Sequence, residues 1–206
     1  MEALGARAST QHGLVSWRHA LDLGVPSTTV ARWARQRRLV RVHTGVYRMA
    51  GAPVTWEQSV LAAVLAAGDG AVASHRSAAR LWGLHDNDAV EITVPYAKLP
   101  RLRGVVVHRS RDLAPRWTSR RRAVLVTTPA RTLVDLGAVL ARRLVEDALD
   151  RALAARLLTV AAVEHALDEL GGSGRQGAGV IRTILDRRAL GAERPDGLLE
   201  ARMARL

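Results

Sequence analysis

The sequence predicts an α+β protein, and three observations carry that prediction. The first fifty residues show helical periodicity broken by turn residues and close on a hairpin pattern. The middle interleaves capped helices with three short β-rich runs, Val90–Val94, Val105–His108 and Val124–Val126. Beyond Thr128 the pattern is helical. A chain of 206 residues with 48% hydrophobic and 24% charged residues can bury a sizeable core. It has no cysteine, which excludes a disulfide scaffold, a thiol nucleophile, a Cys-zinc site and an iron–sulfur centre. Met1–Thr10 lacks the apolar run of a signal peptide. The longest such run, Val60–Ala67, is far short of the roughly 20 residues of a membrane span. The expected location is the cytoplasm, away from membranes.

In chain order, Glu2–Gln11 reads as a short helix stopped by Gly13. Ser16 is placed to cap a second helix, Trp17–Leu23, whose Trp17, Ala20 and Leu21 share one face and are expected to be buried. Gly24-Val25-Pro26 makes a turn. Ser27 then caps a third helix running to about Arg38, with Val30, Trp33 and Ala34 on its apolar side. Leu39–Val42 and Val46–Met49 form strands around a reversal at Gly45. Thr55-Trp-Glu-Gln58 is a capping box for a helix to about Ala67, and Ser74 caps His75–Trp82. After the three β-rich runs, Thr128 and Pro129 start a helix to Leu140. Arg142–Arg156, Val160–Leu170 (capped by Thr159) and Ala178–Arg187 follow. The expected division is a DNA-binding module over 1–52, an α+β domain with a small sheet over 53–140, a helical extension over 141–187 and a tail over 188–206.

Charge gives the first functional pointer. Thirty-one basic residues face nineteen acids, a formal charge of +12. The excess is not uniform. Residues 1–50 carry eight arginines against two acids and residues 101–150 eleven against five, whereas residues 51–100 carry three bases against five acids. Asymmetry of this kind marks a surface for a polyanion.

Helix, helix, three-residue turn, helix and hairpin is the order of a winged helix-turn-helix. A helix fits the major groove of B-DNA and reads base edges from its N-terminal half. Thr28, Thr29, Arg32 and Gln36 are of the types that read bases. Arg35, Arg37, Arg38, Arg41 and Arg48 suit backbone phosphates, His43 sits with them on the hairpin, and Ser27 places a helix N-terminus for a phosphate. No acid occurs between Ser27 and Arg48, whereas a merely solvated face mixes signs.

Several motifs occur in a fixed order: His12–Ser16, Arg41–Tyr47, Ser74–Ala79 with Leu84, Val90–Pro95, Val107–Ser110 and Thr127–Leu136. Together, over roughly residues 8–170, they resemble the actinobacterial AbiEi family, the antitoxins of type IV toxin–antitoxin systems. The resemblance implies an N-terminal winged helix that binds promoter DNA and represses the operon. It implies a remainder that opposes a nucleotidyltransferase-like toxin without forming a stable complex with it. The DNA-reading role carries onto the helix Ser27–Arg38 and the hairpin Arg41–Arg48. Thr44 departs from the pattern, since relatives often have a basic residue there. Many similar proteins continue into a domain resembling very-short-patch-repair endonucleases of the PD-(D/E)XK type. Leu198–Arg202 looks like the opening helix of such a domain, which makes a nuclease cut short before its catalytic residues the alternative reading.

Enzyme motifs within the chain fail on their chemistry. A PD-(D/E)XK site needs an acid two residues before a lysine, and Lys98, the only lysine, has Tyr96 there. Gly172–Gly177 matches a dinucleotide-binding pattern in letters, but a helix precedes it where the mechanism needs a strand. Ser74-His75 is explained by helix capping. His75, His85 and His108 lack any metal-ligand spacing, so no metal or cofactor is expected. Arg116 and Arg120–Arg122 form a second basic cluster, either a solvated loop or a further nucleic-acid contact.

Overall fold

The computed structural model describes residues 2–172 and 177–192. Leu198–Arg202, most of the tail and the centre of the Gly172–Gly177 loop lie outside the described residues. The fold is α+β, with two small sheets and a helical C-terminal part. It divides into two compact units, one up to Thr132 and the other from Leu133.

In the first unit the chain starts with α1 (Glu2–Ser9), β1 (Leu14–Ser16), α2 (Trp17–Asp22), α3 (Ser27–Arg35), β2 (Leu39–His43) and β3 (Val46–Met49). The three strands form an antiparallel sheet in the order β1-β3-β2. A bulge at Val42 lets Arg41 pair with Tyr47 and His43 with Val46, increasing the local twist of the hairpin. Leu4, Ala8, Val15, Ala20, Val30, Trp33 and Leu39 make the core of this segment.

Three expectations need correction here. First, Leu14–Ser16 form a strand, β1, where the sequence reading places none. Gly13, at φ 76°, turns the chain into it. Second, of the expected buried face of α2 only Ala20 is buried; Trp17 is 37% and Leu21 52% exposed. A six-residue helix contributes one side chain to a small core, and Val15 of β1 supplies what Leu21 does not. Third, Pro26, not Ser27, occupies the N-cap position of α3, and no side chain caps it. The helix also ends at Arg35, because Arg37 adopts φ 56°.

A methyl group at Gly13 would overlap the Ala52 side chain, and its φ is costly for any residue with a Cβ. Gly13→Ala is therefore expected to lower stability by about 1–2 kcal/mol from the backbone alone, with the Ala52 overlap adding to it. A chemical denaturation midpoint unchanged from the parent protein would contradict this.

The next helix, α4 (Trp56–Ala67), packs against β1, β2 and β3 and also against the second sheet. Thr55 Oγ1 accepts from the Gln58 amide at 3.1 Å. The Gln58 side chain does not complete the predicted capping box. It donates to the carbonyls of His12 and Pro53 at 2.6 and 2.9 Å, tying β1 to the start of α4. There follow β4 (Val72–Ala73), α5 (His75–Trp82), β5 (Glu91–Pro95), β6 (Val106–Ser110), a 3-10 turn (Pro115–Trp117), β7 (Thr118–Arg121), β8 (Val124–Thr127) and α6 (Pro129–Leu136). The second sheet runs β6-β5-β4-β8-β7, with β5/β6 and β4/β8 parallel and β4/β5 and β7/β8 antiparallel. Its apolar face buries Ile92, Val94, Val124 and Val126 against Val60, Leu61 and Val64 of α4.

In the second unit α7 (Arg142–Ala154), α8 (Val160–Leu170) and α9 (Ala178–Ala192) follow the end of α6. Thr159 caps α8 through the Ala162 amide at 3.2 Å, as the sequence predicts. α9 packs on α7 and α8 and buries Ile181 and Ile184. Among the described residues no helix is long and apolar enough to cross a membrane.

Candidate nucleic-acid interface

Val30 and Trp33 are buried and fix which side of α3 faces outward. At 100° per residue, Thr28, Arg32 and Arg35 then fall on the opposite side, with Ser27 and Gln36 at its margins. All five are exposed, and Thr29 is half-buried at the edge. Ala31 is also exposed in the middle of this face, leaving a shallow, side-chain-poor strip between the threonine and the arginines. Such a surface allows close approach to a groove floor.

The hairpin places its residues differently from one another. Arg37, Arg38 and Arg41 are exposed. Arg41 Nη2 donates to Thr44 Oγ1 at 2.8 Å, so the threonine at the departing position orients the arginine. Arg48 is half-buried and donates through Nη1 to the Ala52 carbonyl at 2.6 Å, which commits part of its guanidinium to the fold. Burial lowers the His43 imidazole from its ordinary value and so favours the neutral ring, which offers hydrogen bonding without a positive charge.

The second basic cluster is partly explained by packing. Arg122 pairs with Glu57 at 2.9 Å. Arg121 lies over the Trp82 ring at 5.4 Å. Arg120 is exposed.

A second constellation lies on β5 and β6, and the sequence motifs did not bring it together. The parallel register sets Thr93 beside His108 and Glu91 beside Val106. Alternation then puts Glu91, Thr93, His108 and Ser110 on one face, against the start of α5 and Arg131. Glu91 has no exposed surface. Arg76 Nη1 donates to its Oε1 at 2.5 Å and the Arg76 amide to its Oε2 at 3.3 Å. Burial pushes the Glu91 carboxyl up, but His108 and Arg76 outweigh it and hold it at about 2. His75, at φ 50°, stacks on His108 with ring centroids 3.6 Å apart. Its Nδ1 meets Ser74 Oγ at 2.9 Å, and Ser74 Oγ accepts from Thr93 Oγ1 at 2.7 Å. Ser74 therefore sits at the N-cap of α5 but makes no side-chain cap. Its hydroxyl serves the histidine. His85 is not in this group. The carboxylate beside the two histidines is Glu91; it lies within the Val90–Pro95 motif, and its own chemical signal in the sequence is an acid inside a β-rich run.

Nearby, Arg131 is 1% exposed and donates to the Asp112 carbonyl and Ser110 Oγ at 2.7 and 3.2 Å. It pins the loop after β6 to α6. This explains why an arginine stands in the otherwise apolar start of that helix.

No protein-family model matches the chain, and no curated protein matches it. Among solved structures it is similar to the crystal structure of the RV2827C protein from Mycobacterium tuberculosis. The TM-score is 0.56 at 18% sequence identity, over 89% of this chain and 74% of that one. At that identity the likeness concerns the fold alone.

Proposed function

We propose that this protein is a sequence-specific regulator that binds double-stranded DNA through a winged helix-turn-helix. In this reading α2 and α3 are the helix-turn-helix pair, α3 enters the major groove, and β2–β3 is the wing. The observation that supports it best is the outward face of α3, where Thr28, Arg32, Arg35 and Gln36 are exposed opposite the buried Val30 and Trp33. No acid lies between Ser27 and Arg48 to oppose a phosphate backbone. Thr28, Thr29, Arg32 and Gln36 read bases; Ser27, Arg35, Arg37, Arg38 and Arg41 hold phosphates. His43 and Arg48 contribute from the wing, Arg48 with the part of its guanidinium not held by Ala52.

The resemblance to AbiEi antitoxins extends the proposal. The winged helix represses the operon by occupancy of DNA, and the remainder of the chain counteracts a nucleotidyltransferase-like toxin without a stable complex; neither role is catalytic.

A mobility-shift assay with the DNA upstream of the gene tests the regulator reading; equal affinity for random duplex in moderate salt would contradict it. Within that assay, Arg32→Ala is expected to cost about 1–3 kcal/mol on the preferred site and to relax sequence preference. Arg41→Ala is expected to weaken all sequences alike and to reduce the salt slope by about 1. Identical effects of the two substitutions on specific and random DNA would refute this division of labour.

A further inference from the structure

We propose that His75, Glu91 and His108 form a binding site for one divalent transition-metal ion of the zinc class. One ring nitrogen of each histidine and a carboxylate oxygen of Glu91 lie within 4.8 Å of one another. Two imidazoles and a carboxylate suit zinc, and a water molecule would complete four-coordination.

The surroundings fit a held ligand set. His108 Nε2 is buried, and its contact is a long one, 3.5 Å to Glu91 Oε2. A short bond to an ion satisfies a buried ring nitrogen better than so long a contact. Ser74 engages His75 Nδ1 and is itself held by Thr93. A hydroxyl relay of this kind orients a ligand ring. His75 is also held at a φ that side chains rarely adopt, a strain expected where position matters more than local comfort. Arg76 Nη1 holds Oε1 at 2.5 Å and the Arg76 amide reaches Oε2 only at 3.3 Å, so Oε2, the oxygen on the His108 side, is the less strongly held of the two.

Two features shape the binding. The stacked rings must tilt apart for their lone pairs to converge on one centre. The Arg76 guanidinium shares the carboxylate's charge and repels a cation, so the affinity is lower than that of an unopposed set. The site does not involve α3 or the wing, and its test is separate from that of DNA binding.

The full chain is stripped with a chelator, dialysed against low-micromolar Zn²⁺ and its metal content measured. About one zinc per chain is expected, unchanged in His85→Gln and reduced at least tenfold in His108→Gln of parental circular dichroism. A stripped protein that takes up no zinc, or a folded His108→Gln that takes up as much as the parent, would overturn the proposal. Should His108→Gln fail to fold, histidine ring NMR of the parent chain decides. Of the seven histidines, zinc must perturb the His75 and His108 resonances above the rest. Perturbation of other histidines in their place, or of none, overturns it.

Discussion

Trp33→Ala is expected to destabilise the first unit by about 3–5 kcal/mol and to abolish sequence-specific DNA binding. The indole is 8% exposed and belongs to a cluster of only seven buried residues. In a core that small no other side chain can move into the vacated volume, so the cavity cost adds to the lost transfer free energy. The functional loss follows from the same geometry. Val30 and Trp33 are the two buried anchors of α3; without the larger one, Val30 alone does not fix the rotation of the helix that presents Thr28, Arg32 and Arg35. Urea unfolding followed by tryptophan-independent circular dichroism measures the first effect and mobility shift the second. A variant that unfolds at the parental midpoint, or that keeps the parental site preference, would show that α3 is not seated in this way.

Arg76→Met is expected to cost about 3 kcal/mol. Glu91 has no exposed surface, and its carboxylate relies on the Arg76 guanidinium and amide. Removing the guanidinium leaves the buried carboxylate to the residue 76 amide and His108 alone, and breaking a buried pair typically costs about 3–5 kcal/mol. The low end applies because the arginine side chain is 32% exposed, so water screens part of the pair. The double variant Arg76→Met/Glu91→Leu is expected to be more stable than Arg76→Met alone, since it removes the stranded charge together with its partner. Denaturation midpoints of the parent, Arg76→Met, Glu91→Leu and the double variant in metal-free buffer give the cycle; additive losses would contradict the pairing.

Much of the fold was legible where local chemistry decides it. Thr159 and Thr55 stand before periodic helices and cap them. Gly45 sits at φ 74° in the hairpin reversal. Val30 and Trp33 are apolar at helical spacing and are buried. The failures share a physical cause. β1 has three residues and β4 two, too short for alternation to show. β7, Thr118–Arg121, contains two arginines and is a strand because β8 pairs with it, not because its residues favour one. Trp17 and Leu21 have the spacing of a buried face, but whether a face is buried depends on what packs there. The polar cluster was the least legible feature. His75 and His108 were visible as chemical types, yet their meeting with Glu91 depends on strand register between β5 and β6 and on the start of α5. None of these is encoded within one segment.

Recognition of a DNA sequence by α3 and the hairpin is the proposal on which the function rests. Its most direct test is a fluorescence anisotropy titration of the full chain with the upstream duplex and a scrambled duplex of the same composition, over a series of salt concentrations. Both affinities are expected to fall steeply and in parallel with salt, because the phosphate contacts are common to both. The preference for the upstream duplex is expected to persist across the series and to collapse in Arg32→Ala. Equal affinity for the two duplexes at every salt concentration would contradict it.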